Sequence, residues 1–441
     1  MRFLFVHERL GAMAGAEVNA YVTAAELRQR GHTIGLLHGP STGKSEPAWH
    51  ETFSERFALA ARNNVQLTQA AVDQFDPDVV YVHKMADLAV LRTLMESRMP
   101  LVRMVHDHDI YCMRSYKYHP LTRKICARPA SGFCVFPCGA SLVRNRHGGW
   151  PFRWVSYLKK KKEIALNRRF HRMLVATDYM KEQLLRNGFD PGRIEIHPPV
   201  PRYLEAAAQS SFSARNLIVY AGQLVRGKGV DVLLQSLAQL SIPFQCVILG
   251  DGSHKQYCQS LSRDLGLEER VSFKGYLAPE LMRSFYADAS LAVMSSVWPE
   301  PFGAVGLEAM RYGLPVVAFD AGGIREWLID EVNGFLVPLM DRAKFAHSVQ
   351  RLLQDKALAR QMGTRGRQLV HDKYNFSRYI SGLEAMFARV IAEREGSPSG
   401  LQSNHRSRIQ KAAPRYSSLV VAPGDPSAFS STNSSKLPLS S

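Results

Sequence analysis

The stretch around residues 291–323 most constrains what this chain can fold into. Two short apolar runs, 291–294 and 314–319, have the length and composition of buried strands. Between them, residues 303–312 read as a helix, with Gly313 as its stop and Pro315 just beyond. Similar units recur along the chain. Apolar runs at 2–6, 33–37, 79–82, 101–105, 173–176 and 194–196 fill the first half, and runs at 217–220, 244–249, 271–273 and 335–337 the second. Helices are expected at 16–30, 230–240, 324–329, 342–353, 358–371 and 377–394. Strand and helix in alternation predict parallel sheets wrapped by helices. The expected fold is α/β, with two Rossmann-like doubly wound domains.

The break between the halves is legible too. The run H-P-P-V-P at 197–201 and the polar stretch 209–215 interrupt the pattern. The reading is a first domain over 1–200, a linker over 201–215 and a second domain over 216–375. From residue 395 the chain is rich in Ser and Pro, which predicts a disordered tail with no role in catalysis.

Composition narrows the classes. The 441 residues are 46% hydrophobic, enough for two ordinary cores. No run of about eighteen apolar residues occurs, which argues against a membrane span. The start, M-R-F-L-F-V-H, meets charge too soon for a signal peptide. Six cysteines in a chain of this length do not suggest a secreted disulfide scaffold, so a cytoplasmic location is expected. The net charge of +17 favours acidic partners.

The chemistry concentrates before and inside the 303–312 helix. Glu300 lies in the preceding loop, and Glu308 lies within the helix on the same face as Ala304. The amides of Phe302, Gly303 and Ala304 sit where a helix begins, a place that holds phosphate. A ligand whose phosphate meets these amides would have its hydroxyls within reach of Glu308.

The segments E-P-F-G, L-E-A-M, G-L-P-V-V-A and A-G-G-I-R-E together resemble the signature of family 4 (group 1) of the retaining glycosyltransferases. The resemblance covers roughly residues 1–392 and implies the GT-B architecture, two such domains facing a central crevice. It implies a last helix, over 376–394, that crosses back to the first domain. It implies transfer of a sugar from a nucleoside-diphosphate sugar to an acceptor such as a lipid-linked glycan, with retention of configuration. Glu300 would contact the donor sugar, and Glu308 the ribose. His106, which opens H-D-H-D after the 101–105 strand, matches the histidine presented to the donor sugar. Gly15 lies in A-G-A-E, where the family has G-G-A-E. Gly222 and Lys228 match the diphosphate loop, but Gln223 stands where the family has arginine. Arg226, in the same loop, is then expected to supply the missing cation. Gly275 and Tyr276 are expected against the base, and Arg325 and Glu326 at the mouth of the pocket. No metal is required for such a step, because cations and helix amides neutralise the leaving group.

An insertion over about 110–172 stands outside this pattern. Cys112, Cys126, Cys134 and Cys138 fall within one irregular segment, where a structural zinc would hold the loop together. Trp150, Phe152, Trp154 and Tyr157 are interleaved with Lys and Arg up to Arg172, the composition of an anionic-membrane surface. Three other functions share some of these features. They are a nucleotide-sugar epimerase, a non-catalytic scaffold of polysaccharide assembly, and a nucleic-acid binder. The last lacks any reading motif.

Overall fold

The structure is a computed structural model and describes residues 1–11, 15–119, 121–144, 152–202 and 209–395. The expected tail lies outside these residues but for Glu395, as does Ala14 of the A-G-A-E loop.

Two fully parallel sheets carry the chain. The first is built from β1 (Arg2–His7), β2 (Thr33–His38), β3 (Glu55–Ala58), β4 (Val79–Lys84) and β5 (Leu101–Val105). A short antiparallel hairpin follows, β6 (Leu142–Arg144) and β7 (Phe152–Trp154). The chain then returns to the sheet with β8 (Arg172–Val175) and β9 (Ile194–Ile196), giving the order β3-β2-β1-β4-β5-β8-β9. The second sheet comprises β10 (Leu217–Ala221), β11 (Gln245–Leu249), β12 (Val271–Gly275), β13 (Leu291–Met294), β14 (Val316–Phe319) and β15 (Gly334–Val337). Its order is β12-β11-β10-β13-β14-β15.

Each sheet starts in its middle, winds outward one way, then returns to wind the other. The loops after the two central strands therefore diverge and leave a crevice at the carboxyl ends, where α/β sheets bind ligands. In the second sheet that point lies between β10 and β13. The strands are buried on both faces, as near-continuous apolar runs demand.

The helix Phe376–Glu395 returns to the first sheet. Its Phe387 ring lies 4.9 Å from Phe3 and 5.1 Å from Tyr81. Glu384 pairs with Arg30 at 2.8 Å, and Tyr379 meets Asn19 at 3.2 Å. Fully burying a Phe contributes about 1.5–3 kcal/mol, so the aromatic contacts dominate this attachment over the part-exposed ion pair.

Three details depart from expectation. Residues 324–329 do not form a full helix but a single 3-10 turn, Gly323–Glu326. The segment is pinned at its end by Trp327, whose indole N–H donates to the Phe302 carbonyl at 2.7 Å. The strand expected over 314–319 begins at Val316, after Pro315, which has no N–H to give a ladder. The far end of the expected linker is packed rather than free. Phe212 is buried, and the Ser210 amide donates to the Tyr312 carbonyl at 2.8 Å.

Candidate active site

At the switch point of the second sheet, two loops lie side by side. One follows β10 and runs through Gly222, Gln223, Arg226 and Lys228 into the helix Val230–Leu237. The other follows β13 and carries Ser295 to Gly303. Gly229 joins them. Its φ of 65° suits glycine, and a Cβ there would meet the Ser295 carbonyl oxygen at 2.0 Å. Ser295 Oγ donates to the Lys228 carbonyl at 2.9 Å.

Glu300 sits at this junction, 3% exposed. Its Oε1 accepts from Lys228 Nζ at 2.6 Å, from Trp298 Nε1 at 2.9 Å and from the Ser296 hydroxyl. Burial alone would raise its pKa. The Lys228 ammonium and the three donors outweigh burial and hold the carboxyl below its usual range. Glu300 is thus an anion at neutral pH, fixed in one rotamer from several sides. The Lys228 ammonium also lies 5.0 Å from the Trp298 ring centroid. Sequence alone did not point to Trp298 or Ser296. Their signal was only their place in the same loop.

The helix after this loop, Ala304–Arg311, starts at Gly303 with φ 81° and no side-chain cap. Its first amides therefore have no side-chain oxygen capping them. Phe302 is buried beneath them against Tyr374, with ring centroids 5.6 Å apart. Glu308 lies one turn along. Burial raises its pKa, and Arg311 only partly opposes this. Among the described residues none donates a hydrogen bond to its carboxylate. Gln223 and Arg226 are on the exposed rim, and Arg226 is close enough to lower the pKa of Tyr118 against the effect of burial. Gly275 ends β12, and Tyr276 beyond it is 73% exposed. Arg325 pairs with Asp320 at 3.0 Å on the surface, its side chain mostly exposed. Gly15 opens the helix Gly15–Gln29, with open space where a Cβ would be.

From the first domain, His106 stands at the end of β5. Its Nε2 is 2.9 Å from His83 Nδ1, and the rings stack at 5.1 Å. Burial, then the neighbouring His7 and the Lys84 ammonium, lower its pKa to about 3. His83 and His7 are also held neutral by burial. Lys84 lies 2.9 Å from Asp107 and 3.5 Å from Asp109. Burial and the neighbouring Asp107 push Asp109 up to about 6. His108, fully buried, joins the halves: its Nε2 meets the Pro299 carbonyl at 2.8 Å, and its Nδ1 the Tyr111 hydroxyl at 2.7 Å. The Thr177 hydroxyl donates to the Pro301 carbonyl at 2.9 Å. The loop of Glu300 is thus held from the first domain on both sides. His7, His83, Lys84 and His108 were not singled out from sequence, although each sits at or just beyond a strand's carboxyl end.

In the insertion, burial raises the Cys134 thiol, and the neighbouring thiols of Cys112, Cys138 and Cys126 add to it. Cys112, Cys126 and Cys138 are each close enough to act on Cys134. Among the described residues, however, no three His, Cys, Asp or Glu side chains are placed as a metal site requires. The helix Tyr157–Asn167 carries exposed Leu158, Lys159, Lys161 and Lys162. Trp150 lies outside the described residues. No described helix is long and apolar enough to cross a membrane.

Known proteins share this plan. Residues 13–200 match the model for Glycosyltransferase Family 4, and residues 204–369 match the model for Glycosyl transferases group 1. The chain is 28% identical over 199 residues to an uncharacterized glycosyltransferase of Methanocaldococcus jannaschii, covering 44% of this chain and 51% of that protein. It is 30% identical over 192 residues to an alpha-D-kanosaminyltransferase of Streptomyces kanamyceticus, covering 43% and 50%. The chain thus spans about half the length of the curated relatives it matches. Among solved structures, Anabaena HepE with UDP and glucose superposes with a TM-score of 0.68 at 20% identity, covering 88% of this chain and all of that one. The sucrose-phosphate synthase of Thermosynechococcus elongatus gives 0.67 at 18% identity, covering 89% and 99%. With both halves matched in chain order, and the two parallel sheets facing a crevice, the chain belongs to the group 1 glycosyltransferases, family 4, and has the GT-B fold.

Proposed function

We propose that this protein transfers a sugar from a nucleoside-diphosphate sugar to an acceptor, with retention of configuration. The observation that carries the reading is Glu300, a buried and ionised carboxylate eight positions before Glu308, beside the uncapped helix start at Gly303. The diphosphate would rest on the amides of Phe302, Gly303 and Ala304 and on Lys228, with Arg226 at the rim. Glu308, half-buried and with no hydrogen-bond donor to its carboxylate among the described residues, suits the ribose hydroxyls. Tyr276 and Gly275 suit the base. Anabaena HepE, a structural neighbour solved with UDP and with UDP-glucose, supports a donor of this class.

In this reading the sugar lies between Glu300 and His106. His106 is neutral, so it offers a hydrogen bond rather than a charge. Glu300 stabilises positive charge developing at the anomeric carbon as the diphosphate leaves. Lys228 and the helix amides take up the negative charge on the leaving group. Glu300 Oε1 is already taken up by Lys228, Trp298 and Ser296, which favours an electrostatic role for it and front-face attack by the acceptor hydroxyl.

The acceptor is proposed to be a lipid-linked glycan met at an anionic membrane face, with the enzyme on the cytoplasmic side. The support is a set of exposed apolar side chains on the hairpin. Leu142 pairs with Trp154 across the hairpin, and Phe152 lies two residues away on the same face. These side chains are 54%, 66% and 54% exposed, and Leu158, in the helix that follows, is 68% exposed among exposed lysines.

Thermal unfolding against a panel of nucleoside diphosphates and nucleotide sugars tests the donor assignment. A rise in Tm with one nucleotide, together with acceptor-dependent release of that nucleotide, is expected. Isomerisation of the donor without an acceptor would identify an epimerase. Absence of any nucleotide binding would identify a scaffold.

A further inference from the structure

The insertion after β5 reaches across to the second domain. Residues 117–119 and 121–126 lie against one another as a tight reversal. Tyr118 bridges Ile125, the Cys126 amide donates to the Lys117 carbonyl at 2.8 Å, and the His119 amide to the Lys124 carbonyl at 2.9 Å. Arg123 sits at the tip with φ 56°, a left-handed conformation uncommon for a non-glycine residue. Such strain persists where surrounding contacts fix it. Here the contact is Asp231, in the first turn of the helix Val230–Leu237. Arg123 Nη1 meets Asp231 Oδ1 at 3.2 Å, and Nη2 meets Oδ2 at 2.5 Å. Both residues are under a tenth exposed, 8% and 7%. The ion pair is bidentate and shielded from water, the geometry in which arginine and carboxylate fix orientation.

Two further contacts place the reversal over the same loop. A Cβ at Gly227 would lie 3.4 Å from the Tyr118 hydroxyl, so the loop and the tyrosine meet closely. Tyr116 lies 6.0 Å from the Trp298 ring, and Trp298 donates to Glu300. The segment between Gly227 and Asp231 is thus held from the first domain at both ends. Lys228 lies inside it.

We propose that Arg123 is a positioning residue for the donor diphosphate. It fixes Asp231, and through the start of that helix it sets where the Lys228 ammonium stands relative to Glu300. Arg123 does not touch the donor. Its effect falls on donor binding, because the Lys228 loop belongs to the donor half. This inference rests on the proposed nucleoside-diphosphate site.

The test compares wild type with Arg123→Met, Arg123→Lys, Asp231→Asn and the exchanged pair Arg123→Asp/Asp231→Arg. UDP and GDP affinities are measured by calorimetry, and donor and acceptor KM by nucleotide release. Arg123→Met is expected to weaken binding of the preferred nucleotide about 5- to 30-fold and to raise donor KM similarly, with acceptor KM unchanged. Arg123→Lys, which keeps the charge without the fork, is expected to fall between. The exchanged pair is expected to recover most of the loss. Arg123→Met with wild-type nucleotide affinity overturns the proposal, even if its Tm falls. So does a loss in Arg123→Lys as large as in Arg123→Met, with no recovery in the exchange. Should Arg123→Met fail to fold, Arg123→Lys is judged against wild type alone, and unchanged nucleotide affinity and donor KM there overturn the proposal. If wild type itself binds neither nucleotide, it is the donor site that fails.

Discussion

Replacing Glu300 with Gln separates chemistry from folding and from nucleotide binding. The amide keeps an oxygen for Ser296 and Trp298 but no charge for Lys228. Removing one member of a buried ion pair costs about 3–5 kcal/mol. Lys228 is 21% exposed at its side chain and can turn toward water, which reduces the loss to roughly 1–2 kcal/mol. At about 2–4 °C per kcal/mol for domains of this size, Tm falls by roughly 2–8 °C. Nucleotide binding is expected to move the other way. Lys228 no longer has a competing carboxylate, so the Kd for nucleoside diphosphate stays level or falls by up to about tenfold, about 1.4 kcal/mol. Transfer, which needs the fixed anion beside the developing positive charge, is expected to drop about 10²–10³-fold. Calorimetry with UDP and GDP and an acceptor-dependent nucleotide-release assay read the two quantities. Wild-type transfer in Glu300→Gln would remove Glu300 from the reaction. Nucleotide affinity falling together with Tm would mean that Glu300 only braces the loop.

Glu308→Ala is expected to weaken nucleoside-diphosphate binding by about 1.5–3 kcal/mol, the range for hydrogen bonds to charged groups, with calorimetry as the check. An unchanged Kd would contradict its assignment to ribose. The buried neutral histidines set a pH dependence. His106, with a pKa of about 3, and His108, with a pKa of about 4, bind protons less readily than in the unfolded chain. Stability is therefore full above about pH 6.5 and is lost as pH falls toward 4, at up to about 1.4 kcal/mol per histidine and pH unit. Asp109, raised to about 6, works the opposite way between its two pKa values, so urea midpoints at several pH values should show the histidine trend slightly blunted. Transfer is expected to survive chelation of divalent metal, and loss of transfer on chelation would assign the leaving group to a metal. Elemental analysis distinguishes a zinc-filled thiol cluster, near one equivalent, from free thiols, below about a tenth of an equivalent. Sedimentation with anionic vesicles is expected to carry the protein down, at about 1 kcal/mol per basic residue near the surface, whereas neutral vesicles should not. Equal failure on both would leave a solvated basic face.

The strands were legible in the sequence because burial on both faces leaves short unbroken apolar runs. Leu101–Val105, Ile194–Ile196 and Leu291–Met294 have the bounds that their composition suggests. The helix at 303–312 was legible from Gly303, Gly313 and the spacing between them, and it forms over Ala304–Arg311. Glu300, Glu308 and the glycine-rich loop could be picked out because helix starts and strand ends are local features. What no local pattern carries is the pairing across the crevice. Lys228 and Glu300 are 72 positions apart and meet only because β10 and β13 are neighbours in the sheet. The histidine stack joins the ends of β4 and β5, and the sheet order alone puts His83 against His106. Arg123 reads in the sequence as one more basic residue in an irregular, basic insertion. Its meaning comes from Asp231, 108 positions later, and from burial that makes a lone charge there costly. Local propensity and periodicity wrote the strands and the helices. Tertiary packing decided which charges lost their water, and so which of them had to meet.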